Sequence, residues 1–319
     1  MFDQNSLRYE NNDRERLSNG VARTIAVCNQ KGGVGKTTSA VNLASELALG
    51  KARVLLVDLD PQANATGGLG IDKKKIEKSI YPVLLEQTSL RSAILKTQIS
   101  HLDLVPSQVS LSGAEVEMIG LPSRETLLKR ALDPVRAEYD LILIDSPPSL
   151  GMLTVNALTA ADGVLIPLQC EYYALEGLSQ LLETVRMVQG GLNPGLVIEG
   201  ILLTMADFRT RLTNDVIDEA RKFFGSKVYD VVIPRSVRLS EAPSRGLPIA
   251  LYDPGSPGAQ AYHQLAKTIK ERIHVGDARI GERDSSVDSG EQPVDAAGDT
   301  ENPPAVHLPE SLSASESVQ

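Results

Sequence analysis

Lysines and glycines at close spacing can hold an anion, and residues 30 to 38 read Gln-Lys-Gly-Gly-Val-Gly-Lys-Thr-Thr. The glycines let the backbone curl until successive N–H groups face one centre, and a helix starting at Lys36 adds its own unpaired amides. Lys36 can reach the β and γ phosphates of a nucleoside triphosphate, and Thr37 can ligate magnesium. Residues Lys31, Gly32, Gly33, Val34, Gly35, Lys36, Thr37 and Thr38 therefore read as a site for ATP and Mg2+. The strict phosphate-loop pattern wants glycine five residues before Gly35, where this chain has Gln30. A second lysine, Lys31, stands at the loop entrance instead. The bland alternative is a glycine-rich turn between surface lysines.

Three carboxylates fall where strands are expected to end. Asp145 closes the apolar run Leu141 to Asp145, the position from which a carboxylate holds magnesium in phosphate-loop enzymes. Asp58 and Asp60 end another run two residues apart, so their side chains project the same way into one strand-end crevice. A structural cap is the alternative role for each.

Those residues need a scaffold, and the pattern supplies one. Short apolar runs at Thr24 to Asn29, Val54 to Asp58, Leu102 to Val105, Leu141 to Asp145, Gly163 to Leu168, Ile198 to Thr204 and Val228 to Ile233 predict strands. Several are apolar at successive positions, as strands covered on both faces are. Helices are predicted at Lys36 to Leu49, Ser123 to Glu138, Ala174 to Gln189, Asn214 to Phe224 and Gly258 to Ile273. In the last, Tyr262, Leu265, Ala266 and Ile269 share one face and Pro257 precedes the start. The alternation implies an α/β fold, a doubly wound, mostly parallel sheet with helices on both faces. Residues 23–274 form the expected domain, residues 1–22 a flexible extension, and residues 275–319 a disordered acidic tail.

The ordered motifs carry a resemblance. Lys31 to Thr38, then Val57-Asp-Leu-Asp-Pro-Gln-Ala-Asn64, Asp145-Ser-Pro-Pro-Ser149, Glu171-Tyr-Tyr-Ala-Leu-Glu-Gly177 and Ile233-Pro-Arg-Ser-Val-Arg-Leu-Ser-Glu-Ala-Pro-Ser244 resemble the deviant Walker A ATPases of the ParA/Soj chromosome-partitioning family. The likeness spans roughly residues 23 to 273. It departs at Ala63, where the family often has Gly, and at Ser236, where it often has Asn. The resemblance implies slow, partner-stimulated ATP hydrolysis in which Asp60 orients the attacking water, Asp58 supports magnesium with Thr37 and Asp145, and Pro234 and Arg235 border the nucleotide. It implies that Lys31 reaches a partner subunit's ATP within an ATP-dependent homodimer, in the manner of an arginine finger. Read by itself, Lys31 is equally a solvated lysine.

Composition bounds the remaining choices. The net charge of −9 looks unfavourable for nucleic acid, yet residues 22–274 hold 27 basic and 27 acidic side chains, and the excess negative charge sits in the tail. Arg209, Arg211, Arg235 and Arg238 are the candidate DNA contacts, against a solvated mixed-charge face as the alternative. Arginines converging across a two-fold dimer would favour sequence-independent binding of double-stranded DNA. The absence of Trp argues against a stacking platform for single strands. The resemblance further implies a ParB-like centromere-binding partner and a cytoplasmic, nucleoid-associated protein, in chromosome or plasmid segregation. MinD-like membrane ATPases end in a basic amphipathic helix, which the acidic tail does not match, so no membrane contact is expected. Two cysteines, Cys28 and Cys170, are too few for a cluster-bearing reductase. A nucleotide-dependent interaction module with negligible turnover remains the other alternative, as does a MinD-like role in positioning cell machinery.

Overall fold

The computed structural model describes residues 22–171 and 177–274; the N-terminal extension, residues 172–176 and the acidic tail lie outside the described residues. Alternating apolar runs become strands, and the longer amphipathic stretches between them become helices. In order these are β1 (Arg23–Val27), α1 (Lys36–Leu49), β2 (Val54–Asp58), β3 (Leu95–Lys96), β4 (Leu102–Val105), β5 (Leu141–Asp145), α2 (Met152–Ala160), β6 (Gly163–Gln169), α3 (Leu178–Gly190), β7 (Val197–Ala206), α4 (Arg211–Phe224), β8 (Val228–Pro234) and α5 (Pro257–His274), with shorter helical turns between. The eight strands pair in the order β3-β4-β2-β5-β1-β6-β7-β8. All neighbours run parallel except β3, which pairs antiparallel with β4 at the edge.

Burial on both sides explains the near-continuous apolar strands. Along β2, Leu55 and Val57 join one core while Val54 and Leu56 join the other, as the two-residue period of a strand requires. The first core packs α2 and α3 through Leu153, Leu158, Leu181 and Val185. The second packs α1 and α5 through Leu43, Leu47, Tyr262, Leu265 and Ile269. Each such side chain, once fully buried, contributes roughly 1.5–3 kcal/mol.

One sequence expectation changes, two elements were not expected, and the expected start of a helix at Ala174 lies outside the described residues. The helix expected over Ser123 to Glu138 is instead a helix of six residues, Leu127–Leu132, between 3-10 turns at Arg124–Thr126 and Arg136–Glu138. Pro134 is the reason: it has no N–H to donate and its ring crowds the preceding turn. The edge strand β3 is two residues long, too short to show periodicity. Helix α2 escaped detection because it is buried nearly all round, so its apolar residues show no helical stripe.

The strand-start edge is held by ionic contacts. Asp162 accepts from the Thr24 backbone N–H at 2.8 Å and from Arg136 Nη2 at 2.6 Å, with both side chains nearly buried. Arg136 also donates to the Ala22 carbonyl. Arg136→Met is expected to destabilise the fold by about 3 kcal/mol, since it withdraws one partner of a buried ion pair. Urea unfolding would read this as a lower midpoint at unchanged slope.

Candidate nucleotide site

The site lies at the carboxyl ends of the central strands, in the crevice where open parallel sheets place ligands. The loop after β1 turns through Gly33 and Gly35, at φ +75° and +87°, and delivers the chain into α1 at Lys36. L-residues with a side chain rarely hold that left-handed conformation. No side chain caps α1, so the first-turn amides and the positive end of the helix dipole face the loop. A Cβ at Gly32 or Gly33 would meet no atom within 4 Å, so open space lies in front of the loop backbone.

Neighbouring residues hold the loop from behind. Asn29 accepts from the Lys31 N–H at 3.0 Å and donates to the Pro167 carbonyl at 2.7 Å. The buried Thr204 hydroxyl donates to the Val34 carbonyl at 2.9 Å. Across the loop, Lys36 Nζ donates to the Lys31 carbonyl at 3.0 Å. Burial lowers the Lys36 pKa, and the charges of Asp145 and Asp60 pull it back up. Lys31 points outward, half exposed, and pairs with Glu171 at 3.2 Å.

Asp58 and Asp145 are direct neighbours on adjacent strands, paired in register at the ends of β2 and β5. Both are fully buried. Asp58 is satisfied internally: it accepts from the Thr66 N–H at 2.8 Å, the Thr66 hydroxyl at 2.6 Å and the Asp60 N–H at 3.2 Å. Asp145 differs, because neither of its oxygens has a hydrogen-bond partner among the described residues. Burial, then the Asp58 charge, pushes its pKa well above the usual carboxylate range, while the nearby Thr37 hydroxyl and Lys36 pull the other way. Burial likewise pushes Asp58 up to about 6, against the bonds from Thr66 and Asp60. An orphaned buried carboxylate beside a threonine hydroxyl fits a hard divalent cation. Magnesium suits a site where the protein supplies one or two oxygens and phosphates supply others. Among the described residues no cluster of three His, Cys, Asp or Glu side chains forms a cage for a metal by itself. Asp60 is nearly buried and accepts from the Gln62 N–H at 2.9 Å.

Asp60 leads into Ala63, at φ +53°. The side chain sits in a conformation that costs a non-glycine residue roughly 1–2 kcal/mol. Ser236 caps the short helix Val237–Glu241 with its hydroxyl, a role asparagine also serves.

A cavity of about 430 Å3 opens beside Gly35 and Thr38 and is walled by Met205, Pro234, Arg235 and Tyr262. The ends of β7 and β8 are joined at Ala206 and Pro234, and the Arg235 N–H donates to the Ala206 carbonyl. Arg209, Arg211, Arg235 and Arg238 follow those two strand ends, Arg211 at the start of α4 and Arg238 in the helix Val237–Glu241, and all four are exposed. Two of them are already paired: Arg209 grips Asp207 with bonds of 2.7 and 2.6 Å, and Arg238 meets Glu241 at 3.0 Å. Arg209 holds the Asp207 carboxyl down to about 2. Sequence reasoning missed Thr66, eight residues from its partner Asp58, and Thr204 and Asn29, whose partners Val34 and Pro167 lie far along the chain. Cys28 is buried, accepts from the Ser146 hydroxyl and is pushed up to about 12 by burial; Cys170 is also a core residue. Among the described residues no helix is long and apolar enough to cross a membrane.

A doubly wound sheet with a glycine loop between β1 and α1 and acidic strand tips beside it defines a phosphate-loop nucleoside triphosphatase. Residues 22–198 match the family model described as an AAA domain. The chain is 58% identical over 249 residues to the sporulation initiation inhibitor protein Soj of Bacillus subtilis, covering 78% of this chain and 98% of that protein. It is 53% identical over 252 residues to the chromosome partitioning protein ParA of Myxococcus xanthus, covering 79% of this chain and 89% of the relative. It therefore belongs to the ParA/Soj family of chromosome-partitioning ATPases. Among solved structures, cobyrinic acid a,c-diamide synthase from Mycobacterium smegmatis with bound ATP analog and magnesium superposes with a TM-score of 0.71 at 38% identity, over 81% of this chain and 98% of the other. The cell division ATPase MinD of Pyrococcus furiosus gives 0.65 at 25% identity, over 79% and 99%.

The raised Asp145 carboxyl sets a pH dependence. A proton held on Asp145 competes with a cation, and a pKa raised above the usual range extends that competition to higher pH. Mg2+ affinity in the presence of ATP is therefore expected to climb with pH well above the usual carboxylate range, with proton release on binding. Calorimetric titrations at pH 5.5, 6.5 and 7.5 would show it; a flat affinity would contradict the assignment.

Proposed function

We propose that this ATPase is a dimerising switch that holds ATP and Mg2+ between two copies, binds double-stranded DNA without sequence preference in that state, and lets go after hydrolysis. The observation that carries the reading is the orphaned Asp145 carboxylate beside Lys36 and Thr37, under a loop with open space in front of it. The bound nucleotide and metal in the 38%-identical Mycobacterium smegmatis structure support the same ligands here.

In this reading the amides of Gly32 to Thr38 cradle the phosphates, with Lys36 neutralising the β and γ oxygens and Pro234 and Arg235 bordering the nucleoside in the 430 Å3 cavity. Thr37 and Asp145 hold Mg2+, which when bound offsets negative charge on the phosphates. Asp58 supports them by anchoring Thr66 and the Asp60 backbone, and Asp60 orients the attacking water. Lys31 leaves Glu171 to reach the partner subunit's nucleotide, which places a second cation on the phosphates only in the dimer. Arg209, Arg211, Arg235 and Arg238 contact DNA phosphates, doubled by the two-fold axis. A ParB-like centromere-binding protein stimulates turnover, and the ATP form resides on the nucleoid.

DNA binding by the full chain is expected with ATP and lost with ADP or without nucleotide. Asp60→Ala should bind ATP, hydrolyse it poorly and accumulate on DNA. Equal binding with ATP and ADP would overturn the switch, and failure of Asp60→Ala to bind ATP would move Asp60 into the binding shell.

Lys31→Ala is expected to weaken dimerisation more than monomer nucleotide binding, because its contact is made across the interface. Light scattering with a nonhydrolysable ATP analogue reads the dimer directly. An unchanged dimer would return Lys31 to the role of a solvated lysine paired with Glu171.

A further inference from the structure

A basic run lies outside the four arginines. Residues 72–78 read Asp-Lys-Lys-Lys-Ile-Glu-Lys, four lysines against two carboxylates. The middle of the run is a 3-10 turn, Lys73–Lys75, whose lysines are all exposed. Asp72 caps the turn by accepting from the Lys74 N–H at 3.0 Å, so one of the two nearby carboxylates is tied to the backbone. Lys73 is committed inward, donating to the Gln62 carbonyl at 2.7 Å and to Asn64 Oδ1 at 3.2 Å. Lys75 has only a loose approach to Asp72, at 3.7 Å. Among the described residues Lys74 and Lys78 show no ion pair.

The tertiary structure sets this run against the segment that carries Arg238 and Arg245. Gly70 and Gly246 meet backbone to backbone, at φ +81° and +65°, and a Cβ on Gly246 would lie 2.6 Å from Gly70 Cα. Gln98 Nε2 ties the same spot by donating to the Gly246 carbonyl at 2.9 Å. On the inner side a cavity of about 360 Å3 separates Lys73 and Asn64 from Ala242 and Pro243. Arg245 is exposed next to the seam, at the end of the 3-10 turn Ala242–Arg245 that follows the helix carrying Arg238.

We infer that Lys74, Lys75, Lys78 and Arg245 form a second phosphate-contacting strip for double-stranded DNA, assembled across the Gly70–Gly246 seam and continuous with Arg238. This rests on the DNA-binding reading above and deepens it. The chemistry favours a nucleic acid backbone over an acidic peptide. The three lysine side chains are point charges on flexible stems, with no aromatic residue among residues 72–78 to seat a peptide side chain, and phosphates repeated along a duplex need no fixed geometry from each lysine. The strip also adds cations that no neighbouring carboxylate holds closely, whereas Arg209 and Arg238 must first leave Asp207 and Glu241.

The test compares wild type, Lys74→Ala/Lys75→Ala/Arg245→Ala and the charge-preserving Lys74→Arg/Lys75→Arg, all full chain. Each is titrated with two unrelated duplexes and an ATP analogue across 50–300 mM salt (about the range where phosphate contacts dominate). The triple alanine variant should bind both duplexes on the order of tenfold more weakly near 100 mM salt, with the slope of log affinity against log salt reduced by about 0.9 for each phosphate that is no longer neutralised. The arginine variant should match wild type, and ATP turnover without DNA should be unchanged in both. Wild-type DNA binding with an unaltered affinity and slope in the triple variant overturns the strip alone. A wild-type chain that binds no DNA overturns the strip together with the reading beneath it. Unchanged DNA binding with lost stimulation by an acidic partner protein assigns the surface to that partner and also overturns the proposal.

Discussion

Two carboxylates in register on adjacent parallel strands are an awkward thing to bury, and the site is arranged around that fact. Asp58 and Asp145 lie side by side at the tips of β2 and β5, fully buried, and the Lys36 charge acts on Asp145. Neighbouring strands are about 4.8 Å apart, so two negative charges there repel strongly in a low dielectric. The fold resolves the pair asymmetrically. Asp58 is given three donors and becomes an anchor, while Asp145 is left without a partner and is held towards its protonated form until a cation approaches. One carboxylate is thereby tied into the backbone around it and the other is not, although their strand positions are equivalent.

The anchor extends the influence of the site outward. Through Thr66, Asp58 fixes the short helix Asn64–Gly68, whose end leads to Gly70 and the contact with Gly246. Helix α1 makes a second connection to the same region, because Asn42 donates to the Thr38 carbonyl and accepts from the Ile249 N–H at 2.7 Å. The C-terminal helix α5 is tied to α1 by the Ser39–Tyr262 hydroxyl pair, by Glu46 and His263, and by Lys270 with the Gly50 carbonyl. Each of these contacts begins on the phosphate loop's own helix or on the loop after β2. The segment from Arg235 to Ile249 is therefore packed against the two elements that a nucleotide's phosphates and metal would touch.

Charge is distributed in keeping with that arrangement. Residues 22–274 are neutral in sum, and two of the exposed arginines at the strand ends, Arg209 and Arg238, are satisfied by carboxylates a few residues away. Such exposed pairs contribute little to stability, so exchanging them for another anion costs little. A surface of this kind gains affinity for a polyanion through the number of cations brought together.

The phosphate loop, the sheet class and the acidic strand tips were all legible in the order of residues along the chain. Each depends on near neighbours or on a repeat of two or 3.6 positions, and strands buried on both faces announce themselves as apolar runs. The break at Pro134 was also local, yet the helical pattern around it concealed the stop. It took the folded chain to make Asp58 and Asp145 neighbours with opposite hydrogen bonding, to set Thr204 and Asn29 behind the loop, and to bring the lysines after Gly70 towards Arg245. Those facts come from strand order and register and from the Gly70–Gly246 seam, which join residues roughly 85 to 175 positions apart. No periodicity along one chain records which strand tip will lie beside which, because hydrogen bonding between strands and side-chain burial choose the neighbour only when the whole sheet closes.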